Sequence, residues 1–537
     1  MVHKDTHAKA SEDRRLVMRL PQLQNVAYGK TTVGDFRGLN EQEITNANEF
    51  ADMENLSSDM YPGLTIRHSR GTVLYSPTKP NGLYWKNKLF YVDGTKMYYD
   101  GTQIGTCTDN KKKLVGMGAY ICIFPDKKVY NTSTGALTSI EASWSGSVTG
   151  APVSTGSTFI KINGSGIGSN FNAGDAVKFT NVNVSSLNNT TKIIQEKGTD
   201  YIVIIDSEIT ASFSDSSITV ARQCPDFDFV CEFNNRLWAC SNTNHEIYAS
   251  KLGDPLNWNA FEGLSTDSYA LTIGSDGDFT GCLSHQGYVV FFKEDYIHTI
   301  YGTKPSNFQL DTTQARGPMK GCEDSLCRVD ETVYYASRKG ICSFQGSIPE
   351  SISDKLTIKY TKAVANQYNH KLYMSLFDGT EWHMYVYDAA RSRRYNMELW
   401  HKEDDLQMQM TAYGDGKLYI VDGENKIRTI CDDESYDTNI EWFAESGIIE
   451  EGSLDRKKVH KIQFNVELDK NNLFEVYVKY DNSDEWIRVY SLMETEKATR
   501  VIPLRIGRCW HYRYKLHGIG RFKLFGLSRA VEYGSDK

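Results

Sequence analysis

Residues 86–101 read KNKLFYVDGTKMYYDG. An Asn turn, a short aromatic and β-branched run, an Asp-Gly turn and a second such run describe a hairpin. The pattern returns as NNRLWACSNTNHEIYAS from Asn234, HQGYVVFFKEDYIHTIYG from His285 and DETVYYASRKGICSFQG from Asp330. It returns again as NHKLYMSLFDGTEWHMYVYD from Asn369 and DGKLYIVDGENKIRTIC from Asp415. Aligned on Leu89, Leu237, Val289, Val333, Leu372 and Leu418, the last five copies are separated by 52, 44, 39 and 46 residues. Roughly 40–50 residues make one four-stranded propeller blade. A hairpin that is apolar on both faces cannot bury itself alone, but it can between two neighbours around an axis. The repeat therefore predicts an all-β chain built on a β-propeller of about six blades.

The first spacing, 148 residues, is too long for one blade. Within it, residues 145–222 are rich in Gly, Ser, Thr and Asn, yet contain the alternating runs STFIKING, DAVKFTNV and DYIVIID. That regularity predicts a small inserted β-domain rather than a coil. The first blade is then expected within residues 35–144 and the remaining blades within 223–438. After Asp432 longer alternating strands begin (FEVYVKYDN, TRVIPLRIG, HYRYKLHGIG, RFKLFGLSRAVEYG), which predicts a separate C-terminal β-sandwich over 439–537. Residues 1–34 open with a polar, mixed-charge stretch that lacks the apolar centre of a signal peptide, and are expected to form a flexible arm. In EQEITNANEFADMENL, residues 41–56, Ile44, Ala47, Phe50 and Met53 fall near helical spacing; a helix or irregular chain is expected there.

A length of 537 residues allows two or three domains, and 32 Tyr with 42 Gly favour strands and turns over helix. No run of eighteen apolar residues occurs, so no membrane span is expected. The net charge of −8 argues against gripping DNA through a basic face. Eleven cysteines include no pair of CxxC motifs, which predicts buried reduced thiols, no zinc site and synthesis in a reducing cytoplasm.

Known catalytic signatures are missing from the sequence. There is no G-x-S-x-G elbow, Walker loop or H-E-x-x-H. The glycines of GSGIGS from Gly164 have the wrong offsets for a dinucleotide loop, and a surface turn is expected. GSDGDFTG, residues 274–281, has the flavour of a sialidase turn, but its offsets differ and a plain β-turn explains it better. His245, His285 and His298 are expected at turns or strand surfaces. No pair of carboxylates stands out as a glycosidase acid and nucleophile. No catalytic, cofactor-binding or metal-binding residue is nominated, and the chain is expected not to be an enzyme. Trp258 stands apart because it lies in a loop, DPLNWNAF, where it either plugs the gap between adjacent blades or makes an exposed contact.

EIYASKLGDPLNWNAFEGLSTDSYALTIGSDGDFTG, from Glu246, with GYVVFFKEDYIHTIYGTKPSNFQL after it, resembles tail hub or nozzle proteins of double-stranded-DNA bacteriophages, the packaged-DNA stabilisation family. FADMENLSSDMYPGLTIRHSRG, from Phe50, resembles the N-L-S-S-D-x-Y-P passage that precedes the first blade in the same proteins. The resemblance implies a structural virion protein made in the host cytoplasm. It implies a homo-oligomeric ring, usually a hexamer, below the portal and adaptor. The ring would continue the DNA channel, retain the genome, and carry fibres or other tail parts without a cofactor. In this setting Trp258 and Phe261 are expected to wedge into the blade boundary or the neighbouring subunit, with Asn257 and Asn259 satisfying loop backbone groups. Tyr61, Pro62 and Arg67 are expected to lie across a neighbouring subunit or the adaptor ring, the alternative being an arm folded back on its own propeller. A receptor- or glycan-binding, or glycan-processing, tail component is the competing function.

Overall fold

The computed structural model describes residues 27–432, 435–437 and 439–533. The chain is all-β, and its centre is a closed ring of small antiparallel sheets. Six sheets are four-stranded meanders: residues 80–106, 113–139, 229–272, 279–314, 327–351 and 362–402. A seventh, residues 408–429, has three strands of its own. Residues 69–75, which precede the first blade, run along its outer strand, with Leu74 N–H donating to the Ile427 carbonyl at 2.8 Å and Ile427 N–H returning to Tyr75 at 2.8 Å. Chain entry thus closes the last blade.

The hairpin residues explain the ring. In blade 1, Phe90 and Val92 pack against Ile121 and Ile123 of blade 2, while Leu89 and Tyr91 pack against Val421 and Ile427 of blade 7. The same two-sided burial recurs at every other boundary, for example Trp238 with Phe291 and Tyr335 with Phe292. Strands buried on both faces read as continuous apolar runs. The turns adopt the left-handed conformation that two-residue hairpins need, at Asn234 (φ 54°) and Asn235 (φ 56°), and at Asp415 (φ 52°) and Gly416 (φ 68°).

Among the described residues the ring has seven blades, one more than the six hairpin copies in the sequence. The blade missed in the sequence is residues 113–139, where the strand Tyr120–Phe124 carries the same apolar core but its turns use Gly118 and Lys127 instead of Asn or Asp-Gly. Two blades therefore occupy the stretch expected to hold one. The inserted domain, residues 142–222, lies between blades 2 and 3 as a seven-stranded sheet closed over its own core of Ile160, Ile162, Phe179, Ile202, Ile204 and Val220.

The sandwich is not a separate C-terminal unit. One of its sheets pairs the C-terminal strands with Ala27–Val33, Leu56–Ser57 and Leu64–Ile66; the other pairs them with Phe50–Glu54. Both ends of the chain build it, around Trp442 stacked on Phe522 at 3.7 Å. The arm expected over 1–34 lies outside the described residues up to 26, and its remainder is largely the edge strand Ala27–Val33. Residues 41–49 are turns and Phe50–Glu54 is a strand, so no helix forms there. The Glu49 carboxylate accepts from the side chains of Asn40 and Asn46, both at 2.9 Å, a local alternative to helical hydrogen bonding. The α-helix among the described residues is Ala389–Tyr395, capped by Asp388, which accepts from Arg391 N–H at 3.0 Å.

Candidate functional site

The loop after Ala249 joins three parts of the molecule. Gly253 takes φ 73°, and its N–H donates to the Asn235 carbonyl at 2.8 Å. Asp254 then holds Leu256 N–H at 2.9 Å. This turn drives Trp258 inward, where it is 2 % exposed and donates from Nε1 to the Pro255 carbonyl at 3.0 Å. It packs with Val115, Met117 and Phe124 of blade 2 and Leu237 of blade 3. Trp258 is therefore a wedge within the chain.

Asn257, beside it, faces the inserted domain. Its Oδ1 accepts from Ala176 N–H at 2.8 Å, and its Nδ2 donates to Asp175 at 3.1 Å and to Asp254 at 2.6 Å. Asp175 also pairs with Arg222, whose Nε reaches the Ile140 carbonyl at 2.7 Å. Lys251 Nζ donates to the Gly174 carbonyl at 3.1 Å, and Asn259 Nδ2 to the Gln223 carbonyl at 2.9 Å. The loop thus clamps the inserted domain to the propeller with polar contacts, of which those of Asn257, Asp175 and Arg222 are buried and have no water to fall back on. Asn259 satisfies a backbone carbonyl as expected, whereas Asn257 bonds mostly across modules. Phe261 does not wedge anywhere in the chain; it is 58 % exposed, because the chain turns outward once Ala260 has packed against Ala176 and Ile193. Asn257→Ala is expected to cost about 1–3 kcal/mol and to raise amide exchange in residues 172–178, measured by hydrogen-exchange mass spectrometry, more than in blade 5.

Residues 50–75 form the second joint. Arg67 is buried. It donates from Nε to Asn55 Oδ1 at 2.8 Å and meets Asp404 at 3.0 Å. Tyr61 packs on Tyr395 with ring centroids 5.1 Å apart, and Pro62, which follows it, is exposed. Tyr61 and Arg67 thus contact their own chain, and their partners there are blade 6 and the residues that follow it. Arg70 lies 2.7 Å from Asp404 and 2.8 Å from Glu403. Ser58 donates to Asp388 at 2.6 Å, and Lys371 donates to Asp59 at 2.6 Å. Burial raises the Asp404 pKa, but the Arg70 and Arg67 charges outweigh it and hold the carboxyl below its usual value. Burial pushes Glu403 up, against the same two arginines. The sequence offers no cue to these pairs, because Arg70 and Asp404 are 334 residues apart.

His285 and His298, expected on surfaces, are buried, whereas His245 lies in an exposed turn. His298 contacts Ser275 and Thr312 hydroxyls at 2.9 Å each. Burial, helped by Lys293, pushes its pKa down from 6.5 to about 4. Burial and Lys371 push His401, 3.9 Å from Glu403, down to about 3. Unfolding frees both imidazoles to protonate below pH 6.5, so the unfolded chain binds more protons and stability falls with pH. The expected slope is about 1.4 kcal/mol per pH unit for each histidine between pH 6.5 and its folded value. Urea midpoints at pH 7.5, 5.5 and 4.5 should decline, and His298→Asn should flatten the decline.

The first strands of all seven blades line an axial cavity of about 390 Å³, among them Gly82, Lys113, Phe229, Cys282, Arg328, Asn366 and Met410. Lys113 lies 3.7 Å from Asp324 and 4.8 Å from the Phe229 ring, so its charge is answered within the chain. A DNA duplex about 20 Å across needs roughly 1,000 Å³ for each 3.4 Å step. The propeller axis is therefore too narrow to be a DNA channel.

On the outside of the inserted domain, Phe159 pairs with Ile205 across neighbouring strands, and Val153 N–H donates to the Phe159 carbonyl at 2.9 Å. All three side chains are at least 41 % exposed. An apolar set of this kind on a fixed module is a candidate contact surface. All eleven cysteines are free thiols, and among the described residues no group of His, Cys, Asp and Glu is arranged to hold a metal ion. No helix among the described residues is long and apolar enough to cross a membrane.

No family model matches this chain, and no curated protein does. The solved structures it is similar to are matched at low similarity. The computationally designed Ika8 protein is 8 % identical with a TM-score of 0.32, covering 67 % of this chain and 100 % of that one. BamB from Moraxella catarrhalis is 10 % identical with a TM-score of 0.30, covering 70 % and 98 %. Hsv2 from Kluyvelomyces marxianus is 11 % identical with a TM-score of 0.27, covering 54 % and 79 %.

Proposed function

We propose that this chain is a structural protein of a double-stranded-DNA bacteriophage tail, a hub or nozzle subunit that assembles as a homo-oligomeric ring below the portal and adaptor. The observation that carries this reading is the exposed Val153–Phe159–Ile205 set on a module clamped to the propeller through Asn257, Asp175 and Arg222. A contact patch on a rigid outrigger generates a head-to-tail interface that closes when the rotation per subunit divides a full turn. Since the propeller axis is too narrow for a duplex, the conduit lies between subunits, around the ring axis. The net charge of −8 suits a wall that lets phosphate slide past without the counterion release that holds DNA on a basic surface. The sequence resemblance of residues 50–71 and 246–310 supports the same assignment, including retention of the genome and anchoring of further tail parts.

Native mass spectrometry tests the patch. The wild-type chain is expected to form one closed oligomer, alone or with the adaptor. Phe159→Lys is expected to shift it toward monomer at least tenfold in dissociation constant while leaving the monomer's unfolding unchanged. Unaltered assembly of Phe159→Lys would remove this patch from the interface.

A further inference from the structure

The sandwich carries a second surface that the ring assignment does not use. In its sheet of Phe50–Glu54, Glu441–Ser446, Tyr512–Ile519, Leu473–Tyr480 and Ile487–Met493, alternate residues turn inward: Trp442, Ala444, Tyr514, Leu516, Val476 and Val478 are buried. The residues between them face out, as period-two strands require. Phe443, Tyr477, Lys515 and His517 line an open groove of about 580 Å³ with Glu54, Asn55, Glu441 and Trp486. That volume falls in the range of small-ligand sites, on the order of 300–1,000 Å³.

The groove's polar groups are held in place by one another. His517 contacts Glu441 at 2.8 Å through Nε2 and Glu475 at 3.3 Å through Nδ1. The Tyr477 hydroxyl donates to Glu475 at 2.7 Å. Lys515 Nζ sits 4.1 Å from the Phe443 ring centroid, and Lys479 Nζ sits 5.1 Å from that of Trp486. Three aromatic rings therefore share an open face with fixed hydrogen-bonding groups.

We propose that this groove binds a neutral oligosaccharide. The C–H faces of a pyranose stack on aromatic rings while its hydroxyls, each a donor and an acceptor, bond to carboxylate, imidazole and amide edges. The groove presents both kinds of group: Trp486 and Tyr477 for stacking, and the Glu441 carboxylate, exposed and oriented by His517, with Glu54 beside it, for the hydroxyls. Its charges are mixed, Glu54 and Glu441 against Lys515 and nearby Lys479, which gives no net field to select a phosphate. A cationic ligand would be repelled by Lys515, which is seated on the Phe443 ring. The proposal stands independently of ring assembly.

Saturation-transfer difference NMR on the full chain tests it, using a panel of neutral hexose and N-acetylhexosamine trisaccharides with glucose 6-phosphate as the anionic probe. Transfer to at least one neutral trisaccharide is expected. Trp486→Ala should weaken binding at least tenfold, and Glu441→Gln should weaken it less. Trp510→Ala, at an exposed tryptophan outside the groove, should leave it unchanged, and the circular dichroism of each variant checks the fold. No transfer from any neutral probe, equal transfer in Trp486→Ala, or stronger binding of glucose 6-phosphate would overturn the proposal.

Discussion

Arg70→Ala is expected to lose about 3–5 kcal/mol, the cost of leaving buried carboxylates without their counter-charge. Arg70 is the main partner of both Glu403 and Asp404, at 2.8 and 2.7 Å, and Glu403 is almost wholly buried. Arg67 alone cannot compensate, because its geometry reaches only Asp404 among the two. The loss should be local at first. Residues 55–75 would detach from the end of blade 6, and the outer edge of blade 7 would open. Cys431, a buried thiol that burial and Glu403 push up to about 12, lies at this joint and reports on it. Its alkylation rate, mapped by peptide mass spectrometry, should rise in Arg70→Ala well above that of Cys327 in blade 5. Unchanged urea stability together with unchanged Cys431 reactivity would show that the ion pairs are not what holds the segment.

Trp258→Ala should cost a similar amount, about 3–5 kcal/mol, by opening a large cavity between blades 2 and 3. Phe261→Ala, three residues on, should stay within about 0.5 kcal/mol, because its side chain is exposed. The pair separates two roles that the loop sequence presents alike. Trp258 is anchored by the Pro255 carbonyl and the Phe227 ring, 5.3 Å away, so its loss should also loosen the Asn257 contacts to the inserted domain. Urea unfolding of both variants, with amide exchange at residues 172–178, checks the contrast. Equal stability of the two variants would place Trp258 outside the core that holds the blades together.

How far the sequence reaches depends on whether a feature is local. Hairpins such as Lys86–Gly101 are specified by neighbouring residues: turn chemistry at Asn234–Asn235 and apolar runs such as Arg236–Ser241 leave little choice of element. The inserted domain is legible for the same reason, since Phe159–Asn163 and Ala176–Thr180 alternate plainly. Blade 2 escaped because its turns lack the Asn and Asp-Gly marks, although Tyr120–Phe124 is as apolar as its counterparts. Non-local pairing was not legible at all. Nothing in Phe50–Glu54 announces Glu441–Ser446 as its partner, and nothing in Arg70 announces Asp404. The composition of the loop around Trp258 sets it apart, and the buried indole wedges between blades 2 and 3. Its bridge to Asp175 could be seen only once the fold placed Asn257 against Ala176. The groove at Trp486 lay hidden because strand alternation gives each outward residue but not which of them converge across five strands.

The central claim is the ring, and imaging tests it most directly. Purified chain, alone and mixed with portal–adaptor assemblies, would be examined by electron microscopy. The account predicts a closed ring whose axial opening lies between subunits and is wide enough for a duplex, about 20 Å or more, with each propeller off that axis. A chain that remains monomeric and ignores the adaptor would contradict it.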